Sequence, residues 1–195
     1  MKIIGIDPGN KISGICMLDD NKIAAAYNEP NETVFTTIQR LADGSEVEVV
    51  IEDISPYAMR ISLQVIATCK FIGELEWRLR QCNLVTGIHL IARNSVKKWI
   101  FDTCGNVVVP RIDKKMFAAD RRKVSKGEKG LRNADGLMRL ASFHYVDDRS
   151  IIAALKELYQ IPTPKAYKSN IYGLKDHSWQ ALAAAAYWQK LVLRY

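Results

Sequence analysis

The sequence has no apolar run approaching the roughly 20 residues that span a bilayer, so no membrane helix is expected. It has no CxxC pair. Cys16, Cys69, Cys82 and Cys104 stand far apart, which shows no metal framework and predicts buried free thiols in a reducing compartment. The chain opens directly on a strand-forming run, so no signal peptide and a cytoplasmic location are expected. There is no internal repeat, no low-complexity tract and no clear boundary between two domains, which predicts one domain over residues 1–195. What is present is a globular composition, 48% hydrophobic and 25% charged, with a formal net charge of +7. That excess favours an anionic partner without requiring one.

The first strand organises the rest. Lys2-Ile3-Ile4-Gly5-Ile6-Asp7 is short, apolar and rich in β-branched side chains. A carboxylate ends it and Pro8-Gly9-Asn10 turns the chain, so a buried central strand should deliver Asp7 to a sheet edge. A carboxylate there is costly without a charge partner or a metal, although inert domains also carry polar strand ends. Strands are predicted over 12–18 and 22–27, joined by a tight turn at Asp19-Asp20-Asn21. An amphipathic helix over 31–42 should end near Asp43-Gly44.

Val47-Glu48-Val49-Val50-Ile51-Glu52 reads as a further strand. Successive side chains alternate faces, so only one of Glu52 and Asp53 can share a site with Asp7. Glu52 ends the hydrophobic run as Asp7 does, and is the candidate. Standing alone, it would read first as a solvated strand end. A long helix is expected from about Met59 to Gln81, with Gly73 suggesting close approach of another backbone. A strand over 85–91 and a short helix capped by Asn94 or Ser95 follow. Further helices are expected over 150–159 and from Asp176 to Trp188. Trp77, Trp99 and Trp188 read as core residues; Trp179 could stack on a ligand or pack inward.

Residues 105–139 are poor in acids and rich in bases. Lys114, Lys115, Arg121, Arg122, Lys123, Lys126, Lys129 and Arg132 are either a solvated face or a phosphate-neutralising segment.

Taken in order, these motifs resemble a known family. Gly5-Ile6-Asp7-Pro8-Gly9 with Ser13-Gly14 is similar to the first motif of the RuvC-like Holliday junction resolvases, in the ribonuclease H-like nuclease superfamily. Val50-Ile51-Glu52 resembles the second motif. The long helix, the strand before Ala92-Arg93-Asn94-Ser95-Val96-Lys97 and the Ala-rich last helix fall in matching order. Residues 105–139 lie outside the likeness, as an inserted or diverged segment.

The resemblance implies an α/β fold, a ribonuclease H-like mixed sheet with helices on both faces. It implies an endonuclease cutting branched DNA, a homodimer and, with DNA as substrate, a nucleoid-associated location. It also implies two Mg²⁺ or Mn²⁺ ions per site, which take hard oxygen ligands and sit about 3.5–4 Å apart in two-ion hydrolysis. Asp7 would bridge both ions and Glu52 would hold one.

The family's last motif places two metal-binding side chains three residues apart at the start of the final helix. Here His177 and Gln180 fall at those positions, on one helix face. His177 matches the histidine-bearing relatives, as a ligand or as a group that helps activate water. A capping or solvated histidine is the plainer alternative. Gln180 departs from the pattern, because a neutral amide is a weaker Mg²⁺ ligand than a carboxylate. Asp176 could substitute, although it lies about 100° from His177 on a regular helix.

Three readings therefore stand open. One is the endonuclease. Another is a weakened or inactive nuclease-fold protein that binds nucleic acid or a protein partner. The third is an actin-like ATPase, which also opens on strand-turn-strand with an Asp. It needs a second Gly-rich phosphate turn that this sequence lacks.

Overall fold

The computed structural model describes residues 1–54, 62–104, 146–161 and 173–192. Five strands form one mixed sheet: β1 (Lys2–Asp7), β2 (Ile12–Asp19), β3 (Lys22–Pro30), β4 (Val47–Asp53) and β5 (Val85–Ala92). Their order is β3-β2-β1-β4-β5. β1 pairs antiparallel with β2 and parallel with β4, so it is the strand where the direction of pairing changes. β2 and β3 turn at Asp20 and Asn21, both with positive φ (42° and 68°). That is the geometry of a type I′ hairpin, whose twist matches the strands it joins.

Alternation along the strands divides the core in two. Ile4, Ile6, Val49 and Ile51 face one side, under α1 (Asn31–Ala42) and α2 (Leu63–Arg80). Ile3 and Val50 face the other, under α3 (Arg93–Thr103), α4 (Asp148–Leu158) and α5 (His177–Val192). The expected α/β architecture, a ribonuclease H-like mixed sheet with helices on both faces, is the one observed. No described helix is long and apolar enough to cross a membrane.

The last helix lies directly on β1 and β2. Its buried run Ala181–Leu182–Ala183–Ala184–Ala185–Ala186 keeps side chains short on the contact face. The strands answer with glycine: a Cβ at Gly5 would collide with the Ala181 carbonyl oxygen, and one at Gly14 with the His177–Ser178 backbone. Small residues on both sides let the backbones touch, and this close seating brings the first turn of α5 to the end of β1.

Several expectations need correction. Gly73 does not mark a close approach; among the described residues, nothing lies within 4 Å of where its Cβ would be. Trp77 is 65% exposed and is not core. Neither Asn94 nor Ser95 caps α3, which begins at Arg93 with no side-chain cap. The final helix begins at His177, because Asp176 has left-handed φ (43°) and stands just outside it. Cys16 is buried, but Cys69 is exposed. α2 is described from Leu63, N-capped by Ser62, whose hydroxyl accepts from the Val65 N–H at 3.2 Å. Met59 to Ile61 lie outside the described residues.

Candidate active site

Asp7 ends β1 and Glu52 falls one residue before the end of β4. The register Ile6↔Ile51 continues to set Asp7 beside Glu52 on neighbouring parallel strands, roughly 4.8 Å apart. Both share the face of Ile3 and Val50, the α5 side, while Asp53 points to the other. Each carboxylate residue is 7% exposed. They open on a cleft of about 550 Å³ at the carboxyl ends of β1 and β4, walled by the 8–10 turn, Arg93, Asn94, His177 and the polar start of α2. Ligands in open α/β sheets gather at such strand ends.

Two basic side chains stand against the carboxylates. His177 Nδ1 lies 2.7 Å from Asp7 Oδ2. The Asp7 hydrogen bond raises the His177 pKa, and burial works against it. Arg93 Nη1 donates to Glu52 Oε1 at 2.6 Å, and Nη2 donates to Asp148 Oδ1. Burial pushes the Glu52 carboxyl up to about 7; Arg93 opposes that shift and Asp7 adds to it. The second oxygen, Oε2, is buried without a hydrogen-bond partner among the described residues. Lys97, one turn on from Arg93, has a lowered pKa from burial and from the guanidinium.

Gln180 lies on the buried side of α5, 5% exposed, and does not line the cleft. Its Oε1 also lacks a partner among the described residues. Asp176 is exposed and likewise off the cleft. Trp179 packs against the core under α5, with Lys156 Nζ 5.7 Å from its ring, and does not face the cleft. Lys114, Lys115, Arg121, Arg122, Lys123, Lys126, Lys129 and Arg132 lie outside the described residues.

A network beneath the turn was not anticipated. The Gly9 N–H donates to Ser13 Oγ at 3.2 Å, and Ser13 Oγ donates to Asn31 Oδ1 at 2.7 Å. Asn31 Nδ2 returns a bond to the Gly9 carbonyl at 3.0 Å, and its N–H binds the Lys11 carbonyl at 3.0 Å. Ser13 is fully buried, so these bonds replace water rather than compete with it. Ser13→Ala should cost about 1–2 kcal/mol and Asn31→Ala a similar amount, because each strands buried partners. The double mutant should cost clearly less than the sum, since both remove one network. Urea unfolding of the three variants checks this, and additive costs would mean the bonds act separately.

The donor set fits a hard divalent cation: two carboxylates, with a buried Glu52 oxygen unpartnered among the described residues. No group of three His, Cys, Asp or Glu side chains among the described residues is arranged to hold a metal by itself. Mg²⁺ seldom needs such a cage, because it binds through one or two carboxylates, waters and substrate phosphates.

Sheet order, flanking helices and the position of the cleft together define a ribonuclease H-like α/β fold. Among solved structures the chain is similar to Thermus thermophilus RuvC, with TM-score 0.52 and 11% identity over 98% of this chain and 97% of that one. It is also similar to T. thermophilus RuvC in complex with a Holliday junction substrate, with TM-score 0.51 and 12% identity over 98% and 96%. At these identities the likeness is one of fold, and the fold is RuvC-like. No protein-family model matches the sequence, and no curated protein does.

Proposed function

We propose that the chain is a single-domain, divalent-metal-dependent endonuclease that hydrolyses phosphodiesters in branched DNA such as Holliday junctions. The observation that carries this is the pair Asp7 and Glu52 side by side at one cleft, with His177 bonded to Asp7. Asp7 and Glu52 would hold Mg²⁺ or Mn²⁺, which when bound activates water and stabilises the leaving oxygen. Asp7 aims the His177 ring through Nδ1, which leaves Nε2 to exchange a proton with water or with the leaving oxygen. Gln180 supplies no charge to the cleft wall, and Asp176, itself off the cleft, acts on it only through His177, whose pKa it helps to raise. The basic stretch 105–139 enters on charge alone, as a segment that neutralises phosphates. A homodimer would offer two sites to the two strands of a junction. The exposed Leu63, Ile66 and Trp77 of α2 are the face proposed for that contact.

The test is single-turnover cleavage of a four-way junction beside linear duplex, with Mg²⁺ or Mn²⁺. Metal-dependent nicking of the junction is expected. Tight junction binding without nicking in either metal would favour the second reading, a nuclease fold that has kept binding and lost cutting. The neutral Gln180 is what favours that reading.

Cation binding should also follow pH. Glu52 must lose its proton to act as a ligand, so Mn²⁺ affinity should rise with pH up to about 7 and level off above it. The stability of the metal-free protein should run the other way. The folded state holds the Glu52 proton more tightly than the unfolded chain, whose carboxyl titrates at its ordinary value of about 4.5. Stability from this group is therefore full below that value and is lost as pH rises to about 7. Glu52→Gln should flatten that part of the profile in thermal melts between these limits. An unchanged slope would assign it to another group.

A further inference from the structure

We propose that Arg93 takes the place of one of the two cations of a two-ion nuclease, so that each chain loads a single divalent ion and meets the substrate phosphate partly through a guanidinium. The proposal rests on reading the cleft as a nuclease site, and deepens that reading.

The first ground is position. Arg93 opens α3 and lines the same cleft as Asp7, Glu52 and His177. Its guanidinium lies 2.6 Å from Glu52, the carboxylate that would otherwise be given over to metal. Asp148, at the start of α4, holds the other arm of the fork. An arginine tied at two points is aimed rather than free to swing, and its side chain keeps 33% exposure toward the cleft. The planar fork of donors is the shape that matches phosphate oxygens.

The second ground is charge. A guanidinium keeps its proton throughout the ordinary pH range. With the His177 imidazole neutral, one divalent ion and Arg93 bring three positive charges. Asp7, Glu52 and one phosphodiester bring three negative charges, which balances the cleft. A second ion would leave two positive charges uncompensated in a half-buried site, where screening is weak. Gln180, on the buried side of α5 and off the cleft, brings no charge to offset that excess. Asp148 does not close the gap, because it sits at the rim with a side chain 64% exposed.

The experiment counts Mn²⁺ bound to the full chain, without DNA, by calorimetry and by electron paramagnetic resonance. Asp7→Asn, Arg93→Gln and Arg93→Lys are measured alongside. One ion per wild-type chain is expected, and its binding should be weakened at least tenfold by Asp7→Asn. Arg93→Gln should bind Mn²⁺ several-fold more tightly or admit a second ion. Arg93→Lys keeps the charge and should retain one ion. In a metal-free junction-binding titration, Arg93→Gln should lower the salt slope by about one. Two ions bound by the wild type, or Arg93→Gln with unchanged stoichiometry and affinity, would overturn the proposal while leaving a metal nuclease intact. No Mn²⁺ bound by either wild type or Arg93→Lys would overturn the nuclease reading as well. Thermal melts identify a variant that fails to fold, and the wild-type and Arg93→Lys counts decide the matter without Arg93→Gln.

Discussion

Asp7→Asn is expected to lower junction cleavage roughly 10²- to 10³-fold at saturating Mg²⁺, about 3–4 kcal/mol of transition-state stabilisation. Asparagine keeps the shape of aspartate and removes its charge. The change takes away a cation ligand and loosens the bond that aims His177 at the same time. Folding should suffer little by comparison. The His177 side chain is 48% exposed, so its pairing with Asp7 is worth at most about 1 kcal/mol after solvent screening. Losing one of two neighbouring carboxylates also removes a repulsion with Glu52. The prediction is therefore a separation: a large loss of rate beside a nearly unchanged urea midpoint. Single-turnover cleavage and urea unfolding on the same preparation measure both. Cleavage within threefold of wild type would place the reacting centre elsewhere.

What was legible in the sequence was what local pattern controls. β1 announced itself through an unbroken apolar run ended by Asp7, and β4 through the same pattern ended at Glu52. Alternation left room for only one of Glu52 and Asp53 on the face of Asp7, the end of the apolar run chose Glu52, and the structure puts Asp53 on the opposite face. The Asp20-Asn21 turn and the end of α1 at Ala42 follow from short-range chemistry and were read closely. What escaped notice depends on contacts distant in sequence. Arg93 looked like an unremarkable neighbour of two capping candidates. Its role comes from Glu52, 41 residues away, and from Asp148, 55 residues away. Ser13 stood in the first motif with no partner in view, and Asn31 opened a helix, until the fold brought them together beneath Gly9. Gly73 failed as a packing signal because a glycine in a helix looks the same whether a backbone lies against it or solvent does. Gly5 and Gly14 are the opposite case: both stood in the first motif, but the helix they make room for could not be seen in it.

Those two glycines give the second large expectation. Gly14→Ala would drive a methyl group into the His177 carbonyl and the Ser178 nitrogen, and Gly5→Ala into the Ala181 carbonyl. The obstacles are backbone atoms of one helix, so no rotamer change relieves them. The first two turns of α5 must lift from the sheet, or the strands must bend. Either movement should cost about 3 kcal/mol, toward the upper end of overpacking penalties. For a chain of 195 residues that is a fall of roughly 6–12 °C in Tm. Gly14→Ala should also lose cleavage beyond what its stability explains, because lifting residue 177 draws its Nδ1 away from Asp7, now 2.7 Å distant. Gly5→Ala acts one turn further along and should affect stability more than rate. Gly73→Ala is the control: its Cβ enters open space among the described residues, and better helix propensity should raise stability by about 0.5–1 kcal/mol. Thermal melts of the three variants, with junction cleavage measured 20 °C below each midpoint, separate the effects. If Gly14→Ala melts with the wild type and cuts as fast, α5 does not rest on β2 closely enough to hold His177 in place, and the site lacks that support.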